Sequence, residues 1–501
     1  MSVASRAPIE ILGEIFLILR DKPITLHDLT NSLHFDEFPW AVGQICSHWR
    51  LAFLSYPALW SSLSLENPES EQPSPSAPYV AEMNRRTMFY LKRSEQHPLT
   101  ITVRASNPSF CTIWTMLLSC SNRWQKAYLW IENESVMNGL VGRRGKMQIL
   151  ESLEITLAKF KRQKDLVAFE IAPHLTELEV THWAMLKESR WKFPWIQLSK
   201  LKLEVDCLDL TRRKALQAFL RQIQNVEELR FLMNDVIEGV NNFEYAPVHF
   251  PRLRLLEISL VSPKVFSWFE APLLGHLLVH DSCRNRYGEE LSLFVHRSSC
   301  CVRRLAIQDC DIDVARDIIE VLKAGVEELC IKQMFEEVPG NFVDFAQDMI
   351  QSHEVPLPNL RVVQVPCCPG HFKQLIAKVS PFFEKQGGEF GSAPAGSNNV
   401  PLEKLIIAVD RNNCGCGQCG SVFSEESTAI QYALKVMCHW PSFSVVCLNY
   451  DQRNLVLTLH ALVASTVVDL AIYYPRDPEV YEYCSEESYR HYNILLRLAT
   501  V

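Results

Sequence analysis

Several features are scarce in this chain, and each absence narrows what it does. Glycine supplies only 18 of 501 residues, about half its usual share, which excludes collagen-like and glycine-rich low-complexity sequence. No apolar run reaches the ~20 residues that cross a bilayer as a helix. The most suspicious apolar stretch, Asn454 to Val468 between Arg453 and Asp469, has 15 uncharged residues. Neither sign of charge dominates. The 50 Lys and Arg against 58 Asp and Glu leave a net charge of −8, so nothing in the electrostatics prepares the chain for general nucleic-acid binding. Catalytic signatures are missing as well. The chain has no phosphate loop ending in Gly-Lys-Ser/Thr, no Gly-x-Ser-x-Gly turn and no His-Glu-x-x-His, and its 15 histidines show no paired ligand spacing. Val141 to Lys146 is basic and contains glycine, but its spacing is that of a solvated loop. These absences remove the positive case for an enzyme, and no cofactor is expected. A site assembled from distant residues would leave no such mark.

What the chain does have is core material. Apolar residues make up 48% and charged residues 22%, a balance of globular rather than disordered sequence. The length allows roughly three domains of about 150 residues, or one long repeat array with a small module. Seventeen cysteines, an odd number, fall at no regular spacing. Glu10 and Glu14 interrupt the opening apolar run, so no secretory signal is expected there. Reduced thiols in a cytoplasmic or nuclear protein are the expectation.

The first sixty residues pattern as helices. Pro8 suits a first helical position, and Glu10 lies where the helix dipole favours an anion. Ile9, Leu12, Ile15, Phe16 and Leu19 recur at helical spacing over residues 8 to 19. A second helix is expected from Trp40 to Leu54, with Val42, Ile45, Cys46, Trp49 and Phe53 on one face, ended by Ser55-Tyr56-Pro57. Spacing by itself favours reading these as the core faces of two ordinary helices.

Their order adds a resemblance. Pro8-Ile9-Glu10-Ile11-Leu12 with Ile15-Phe16 resembles the first helix of an F-box. Gln44-Ile45-Cys46-Ser47-His48-Trp49-Arg50, followed by Pro57 and Leu59-Trp60, resembles its second half. Leu91-Lys92-Arg93-Ser94 with Pro98-Leu99-Thr100-Ile101 is similar to a segment that comes after the box in F-box proteins with degenerate leucine-rich repeats from mushroom-type fungi. The match spans about residues 6 to 65. It implies a three-helix module docking on the Skp adaptor of a cullin–RING ubiquitin ligase through an apolar helix face. Pro8, Ile9, Leu12, Ile15, Phe16, Ile45, Cys46 and Trp49 would form or support that face. Two departures stand out. Ala7 replaces the family's Leu, and the long connection from Leu19 to Trp40 suggests a short extra helix at Leu26, Leu29 and Leu33.

A proline-rich linker is expected over 66–80 and a loop insertion over 386–401. From residue 150 a pattern recurs of apolar, two residues, Leu, one residue, apolar. It runs through Leu150/Leu153/Ile155, Leu175/Leu178/Val180, Leu198/Leu201/Leu203, Val226/Leu229/Phe231, Leu253/Leu256/Ile258 and Leu274/Leu277/Val279. It continues through Val302/Leu305/Ile307, Val326/Leu329/Ile331, Leu360/Val363/Val365, Leu402/Leu405/Ile407, Val445/Leu448/Tyr450 and Val467/Leu470/Ile472. Periods of 20 to 29 residues with this offset are those of leucine-rich repeats. Each unit would give a short strand with one buried face, and units would stack because none can bury its apolar side alone. Asn234 and Cys310 stand where such repeats satisfy turn backbone groups. The expected fold is therefore α/β: an F-box over 1–65, an irregular leucine-rich-repeat solenoid over 81–475 with a curved parallel sheet and outer helices, and a tail or capping helix over 476–501.

In each unit the residue between the last two apolar positions points to the opposite face. These residues are Glu154, Glu179, Lys202, Arg230 and Glu257, then Leu278, Ala306, Cys330, Gln364, Ile406, Asn449 and Ala471. The first five are charged and the rest are not. Interface centres are depleted in charge, so the face from Leu278 to Ala471 is a candidate for binding a protein substrate. Cover by the tyrosine-rich tail from Asp477 onward is the alternative. Cys414, Cys416 and Cys419 lie within six residues and are the sole zinc candidates, with Cys367, Cys368, Cys438 or His439 as a fourth ligand. One incomplete cluster is better read as a glycine-rich surface loop with incidental cysteines, and no metal is expected. The resulting expectation is a non-catalytic substrate receptor whose partners are a Skp-type adaptor, a cullin reached through it and an unknown protein substrate. Neither nucleic acid nor membrane is expected as a partner. The alternative is a repeat scaffold whose box no longer engages the ligase.

Overall fold

The computed structural model describes residues 7–19, 24–25, 42–66, 76–105, 110–131, 134–157, 166–181, 192–205, 208–209, 213–233, 236–237, 246–259, 263–280, 287–334, 357, 359–367, 404–410, 443–448 and 470–473. The chain divides into two compact units, Met1–Phe243 with Val248–Leu253, and Glu244–Pro247 with Arg254–Val501.

In the first unit, strands Ile24–Thr25, Ser62–Glu66, Leu99–Ala105, Trp124–Ile131, Ser152–Leu157, Glu177–Thr181, Lys200–Val205 and Glu228–Met233 pair in chain order, every pair parallel. Parallel neighbours need a return crossover. Helices α4 (Ala77–Arg93), α5 (Cys111–Ser119), α6 (Glu134–Leu140) and α7 (Arg213–Gln222) supply several of these, and a short 3-10 turn at Trp195–Gln197 supplies another. Three further helices, α1 (Ile9–Leu19), α2 (Val42–Ile45) and α3 (Ser47–Ser55), precede Ser62–Glu66.

In the second unit, Leu255–Ser259, His276–His280, Arg304–Cys310, Glu328–Met334, Val362–Cys367, Lys404–Asp410, Phe443–Leu448 and Leu470–Tyr473 pair in the same ordered, parallel way. Helices α8 (Gly288–Ser298) and α9 (Ile312–Leu322) lie between its earlier strands. The chain is thus a mixed α/β protein built on long parallel strand ladders.

The register explains the sequence pattern. Leu153, Leu178, Leu201 and Leu229 stand opposite one another on successive strands, as do Ile155, Val180, Leu203 and Phe231. All eight are at most 2% exposed. In the second unit Leu256, Leu277, Leu305, Leu329 and Val363 form the matching row, each at most 1% exposed. Strand starts repeat too. The Glu151 carbonyl accepts from the N–H groups of Thr176 and Glu177, Thr176 from Ser199 and Lys200, and Ser199 from Glu227 and Glu228. Each unit thereby satisfies backbone groups that its neighbour would leave unpaired.

The ladder departs from the expected array in three places. It begins well before residue 150, because Leu63/Leu65, Ile101/Val103 and Ala127/Leu129 continue the same buried rows. The unit expected at Val445/Leu448/Tyr450 is displaced: Leu405 pairs with Phe443, and Ile407 with Val445. In the unit expected at Val467/Leu470/Ile472, Leu470 pairs with Val445 and so takes the row of Ile407. Both later units are rich enough in apolar residues to satisfy the offset in more than one register.

Aromatic rings and two arginines, one buried and one half-buried, fill the returns. Phe169 and Phe193 stack at 5.8 Å, Phe193 meets Trp195 at 5.1 Å, and Trp195 meets Phe219 at 5.2 Å. Arg123 is 9% exposed. Its guanidinium donates to the His97 and Ser94 carbonyls and to Ser94 Oγ, tying the end of α4 to the strand Leu99–Ala105. Arg297 does the same for the Phe266 and Phe269 carbonyls.

Candidate functional site

The helical segment before Ser62 is fixed by a small set of contacts. Leu12 and Phe16 of α1 are buried, and the Phe16 ring lies 5.4 Å from Trp49 of α3. Gly13 allows the close approach: a Cβ there would stand 2.5 Å from the Tyr56 ring. The Tyr56 hydroxyl donates to Glu14, and that bond raises the Tyr56 pKa above its ordinary 10.0. His48 Nε2 lies 2.7 Å from the Ala7 carbonyl oxygen. Cys46 caps α3, its sulfur accepting from the Trp49 N–H at 3.5 Å. Arg50 Nε donates to the Gly43 carbonyl at 2.7 Å and so holds α2 against α3.

This arrangement divides the expected docking residues. Leu12 and Phe16 belong to the segment's own core, while Ile9, Cys46 and Trp49 are half-buried. Pro8, Ile15 and Ile45 are exposed, the isoleucines at 41% and 61%. The sequence reading missed Ile11 and Ile18, exposed at 52% and 78%. With Ile15 they stand at helical spacings of four and three, one stripe on α1. The signal was available: eight of the eleven α1 residues are Ile, Leu or Phe. A helix that apolar cannot bury everything against one neighbour. Leu26, Leu29 and Leu33 lie outside the described residues.

The segment is fastened to α4. Trp60 is fully buried, donates from Nε1 to the Phe53 carbonyl at 3.0 Å and stacks on Tyr90 of α4 at 5.6 Å. Arg93 donates to the Leu54 carbonyl at 3.0 Å. Of the stretch read as linker, residues 77–80 already form the first turn of α4, whereas 67–75 are outside the described residues.

The second candidate surface is the sheet face opposite the buried rows. Glu257, Leu278, Ala306, Cys330, Gln364 and Ile406 share one row, which continues to Ser444. Asn449 lies outside the described residues, and Ala471 pairs with Val446, two residues past that row. Leu278 and Ala306, at 8% and 4% exposure, are buried, while Cys330 and Gln364 are half-buried. Glu257 is a buried carboxylate at 3% exposure, and His280 Nε2 lies 2.6 Å from its Oε1. Cys310 is buried, its Sγ donating to the Gln308 carbonyl at 3.4 Å, which suits a turn-satisfying role. Asn234 lies outside the described residues.

In the first unit the corresponding row is Tyr128, Glu154, Glu179, Lys202 and Arg230. All five are half-buried. Lys202 Nζ lies 3.1 Å from Glu179, and Lys200 Nζ lies 3.3 Å from Glu177 and 3.7 Å from Glu228. Burial, then the nearby carboxylates of Glu154, Glu177 and Glu179, raise the Tyr128 pKa above 10.0. Two residues along its strand, Trp130 carries the Arg104 guanidinium 4.4 Å above its ring.

Cys414, Cys416, Cys419, Cys438 and His439 lie outside the described residues. Among the described residues no group of three His, Cys, Asp or Glu could hold a metal ion, and no helix is long and apolar enough to cross a membrane. Arg144 in the Val141–Lys146 loop pairs with Glu170 at 2.7 Å. No protein-family model and no curated protein matches the chain.

Proposed function

We propose that this protein is a non-catalytic substrate receptor of a Skp–cullin–F-box ubiquitin ligase. In this reading α1 to α3 are the F-box, and the ordered parallel strands are a degenerate leucine-rich-repeat solenoid that holds the protein to be modified. The observation that carries it is the open Ile11, Ile15 and Ile18 stripe on a helix whose opposite side is already filled by Leu12, Gly13 and Phe16. An apolar helix face left in water calls for partner helices. Receptors of this kind contribute position rather than bond chemistry. They raise the effective concentration of a target lysine near the charged conjugating enzyme, which agrees with a sequence in which no catalytic motif is found.

Co-expression with a Skp adaptor tests the reading. The parent chain should co-purify with it, and Ile11→Asp/Ile15→Asp/Ile18→Asp should abolish the complex without lowering the melting temperature. Phe16→Asp is unsuitable, because Phe16 is core and its loss would unfold the segment. A well-folded parent that forms no complex ends the proposal.

One observation favours a second reading. Trp60 and Arg93 bind the helical segment to α4, so it could serve as a cap on a binding scaffold with no ligase attached. In that case the triple substitution would leave every partner of the chain in place.

A further inference from the structure

Half-buried arginines in this protein have an acceptor for their guanidinium. Arg86 donates to Glu82, Arg93 to the Leu54 carbonyl and Arg297 to the Phe266 and Phe269 carbonyls. Arg230 and Arg316 are engaged as well. Arg143 is the exception among the described residues. It is half-buried, and its guanidinium bonds to no group of the protein. It belongs to a basic segment between α6 and the strand Ser152–Leu157. The Arg143 N–H donates to the Leu140 carbonyl and the Lys146 N–H to the Arg143 carbonyl, each at 3.0 Å, which makes two turns back to back. Gly145 is the third residue of the second turn and has φ +71°, a position that glycine fills without strain. Leu140 and Met147 are fully buried, so the segment is held at both ends.

The charged side chains of this segment are all cations. Arg144 and Lys146 are exposed. Arg144 Nε lies 2.7 Å from Glu170, and Lys192 Nζ lies 3.8 Å from the same carboxylate, so one acid serves two bases and leaves Arg143 and Lys146 without an ion-pair partner. These two are the first and fourth residues of one turn, which puts their Cα atoms within ~7 Å. A Cβ built on Gly142 or Gly145 would meet nothing within 4 Å, so a ligand can approach the backbone between them.

We infer that this turn binds one phosphate monoester. Arg143 donates to two of its oxygens through the planar fork, and Lys146 adds a point charge. The turn lacks the length and the Lys-Ser/Thr end of a nucleotide phosphate loop, which favours a single phosphate over a nucleotide. A polyanion is disfavoured, because its affinity depends on a run of phosphate contacts and the chain carries a net charge of −8. The monoester arrives on a phosphorylated side chain or as a small free phosphate. The inference goes beyond the receptor reading and does not depend on it.

Phosphorus-31 line broadening of phenyl phosphate, titrated with the full chain near neutral pH, measures the binding. Arg143→Gln/Lys146→Gln should weaken it about tenfold, the scale of hydrogen bonds to charged groups, with the melting temperature unchanged. Arg143→Lys should restore only part of the loss, since it returns the charge without the fork. Arg303→Gln, at a side chain 68% exposed in the other unit, should leave binding as it is. Below the second pKa of the monoester, about 6, the ligand loses a charge and binding should weaken. Dimethyl phosphate, with one charge at any of these pH values, should bind less tightly throughout. A phosphoserine tripeptide identifies the source. Tighter binding than phenyl phosphate assigns the site to a phosphorylated side chain, and equal binding to a free phosphate. Absence of broadening, or broadening that Arg143→Gln/Lys146→Gln leaves unchanged, overturns the inference. So does a short single-stranded oligonucleotide that binds more tightly than phenyl phosphate and is lost in the same variant.

Discussion

The two units build the same ladder and give its second face contrasting chemistry. Their leucine rows are interchangeable in chemistry and burial: Leu201 and Leu229 in one, Leu277 and Leu305 in the other, each at most 1% exposed. The rows on the far face are not. The first unit offers half-buried Glu154, Glu179, Lys202 and Arg230, while the second offers buried Leu278 and Ala306 beside a carboxylate, Glu257, that is itself buried and bonded to His280. A repeated backbone fixes where side chains stand and leaves the second face free to change its chemistry. The cost of a substitution should therefore follow its row and its burial rather than its place in the chain.

The largest effects test the shared part of that comparison. Leu229→Ala and Leu305→Ala should each cost about 2–5 kcal/mol, as buried leucines do when a cavity is left. Denaturant unfolding measures both, and a near-zero cost at either site would show that the two ladders are not equivalent. An effect of similar size tests the contrast. Ala306→Asp should cost about 3–5 kcal/mol for burying a carboxylate without a partner, seen as a lower melting temperature. Lys200→Ala, on the open face with its side chain 51% exposed, should stay within about 0.5 kcal/mol. Equal costs would mean that the two faces are equally covered.

Helix α1 repeats the contrast on a smaller scale. Gly13→Ala sets a helix-propensity gain of about 1 kcal/mol against a Cβ placed 2.5 Å from the Tyr56 ring. The ring must move and its bond to Glu14 must break, so a net loss of about 1–2 kcal/mol is expected. Ile18→Ala, on the open stripe, should leave stability within about 0.5 kcal/mol. Thermal melts of the two variants decide whether the filled and open sides of α1 are as unlike as their exposures indicate.

Much of this was legible in the sequence, and the rest was hidden for identifiable reasons. The offset of Leu153 and Ile155 recurred at 178 and 180, 201 and 203, and 229 and 231, and the strands pair on those residues. The earlier strands escaped notice because Trp60, Pro98 and Trp124 hold the first position of the pattern and Ala127 the central one. Registers near 445 and 470 were ambiguous, since neighbouring apolar residues satisfied the same offset. Which α1 residues stand exposed was only partly legible, because helical spacing identifies faces without saying which is already occupied. Leu12 and Phe16 looked no different from Ile11 and Ile15 until Trp49 and Tyr56 were placed. For the uncharged row the sequence leaves binding and cover both open, since absence of charge marks an interface centre and a buried row alike, and Leu278 and Ala306 are buried.

The smallest expected effect bears on the charged row alone. Tyr128 keeps its proton to higher pH than an ordinary tyrosine, first because it is buried and then because Glu154, Glu177 and Glu179 oppose a second negative charge. A tyrosine whose pKa is raised on folding ionises first in the unfolded chain. The folded state is therefore favoured less as pH climbs past 10.0 toward the higher folded value. Glu154→Gln removes one opposing charge, so the Tyr128 ionisation should move down toward 10.0, while Glu257→Gln in the other unit should leave it unchanged. Ultraviolet difference titration against a Tyr128→Phe reference isolates the signal. A Tyr128 transition indifferent to Glu154 would mean that burial alone holds the proton, and that the carboxylates of this row do not act together at its aromatic end.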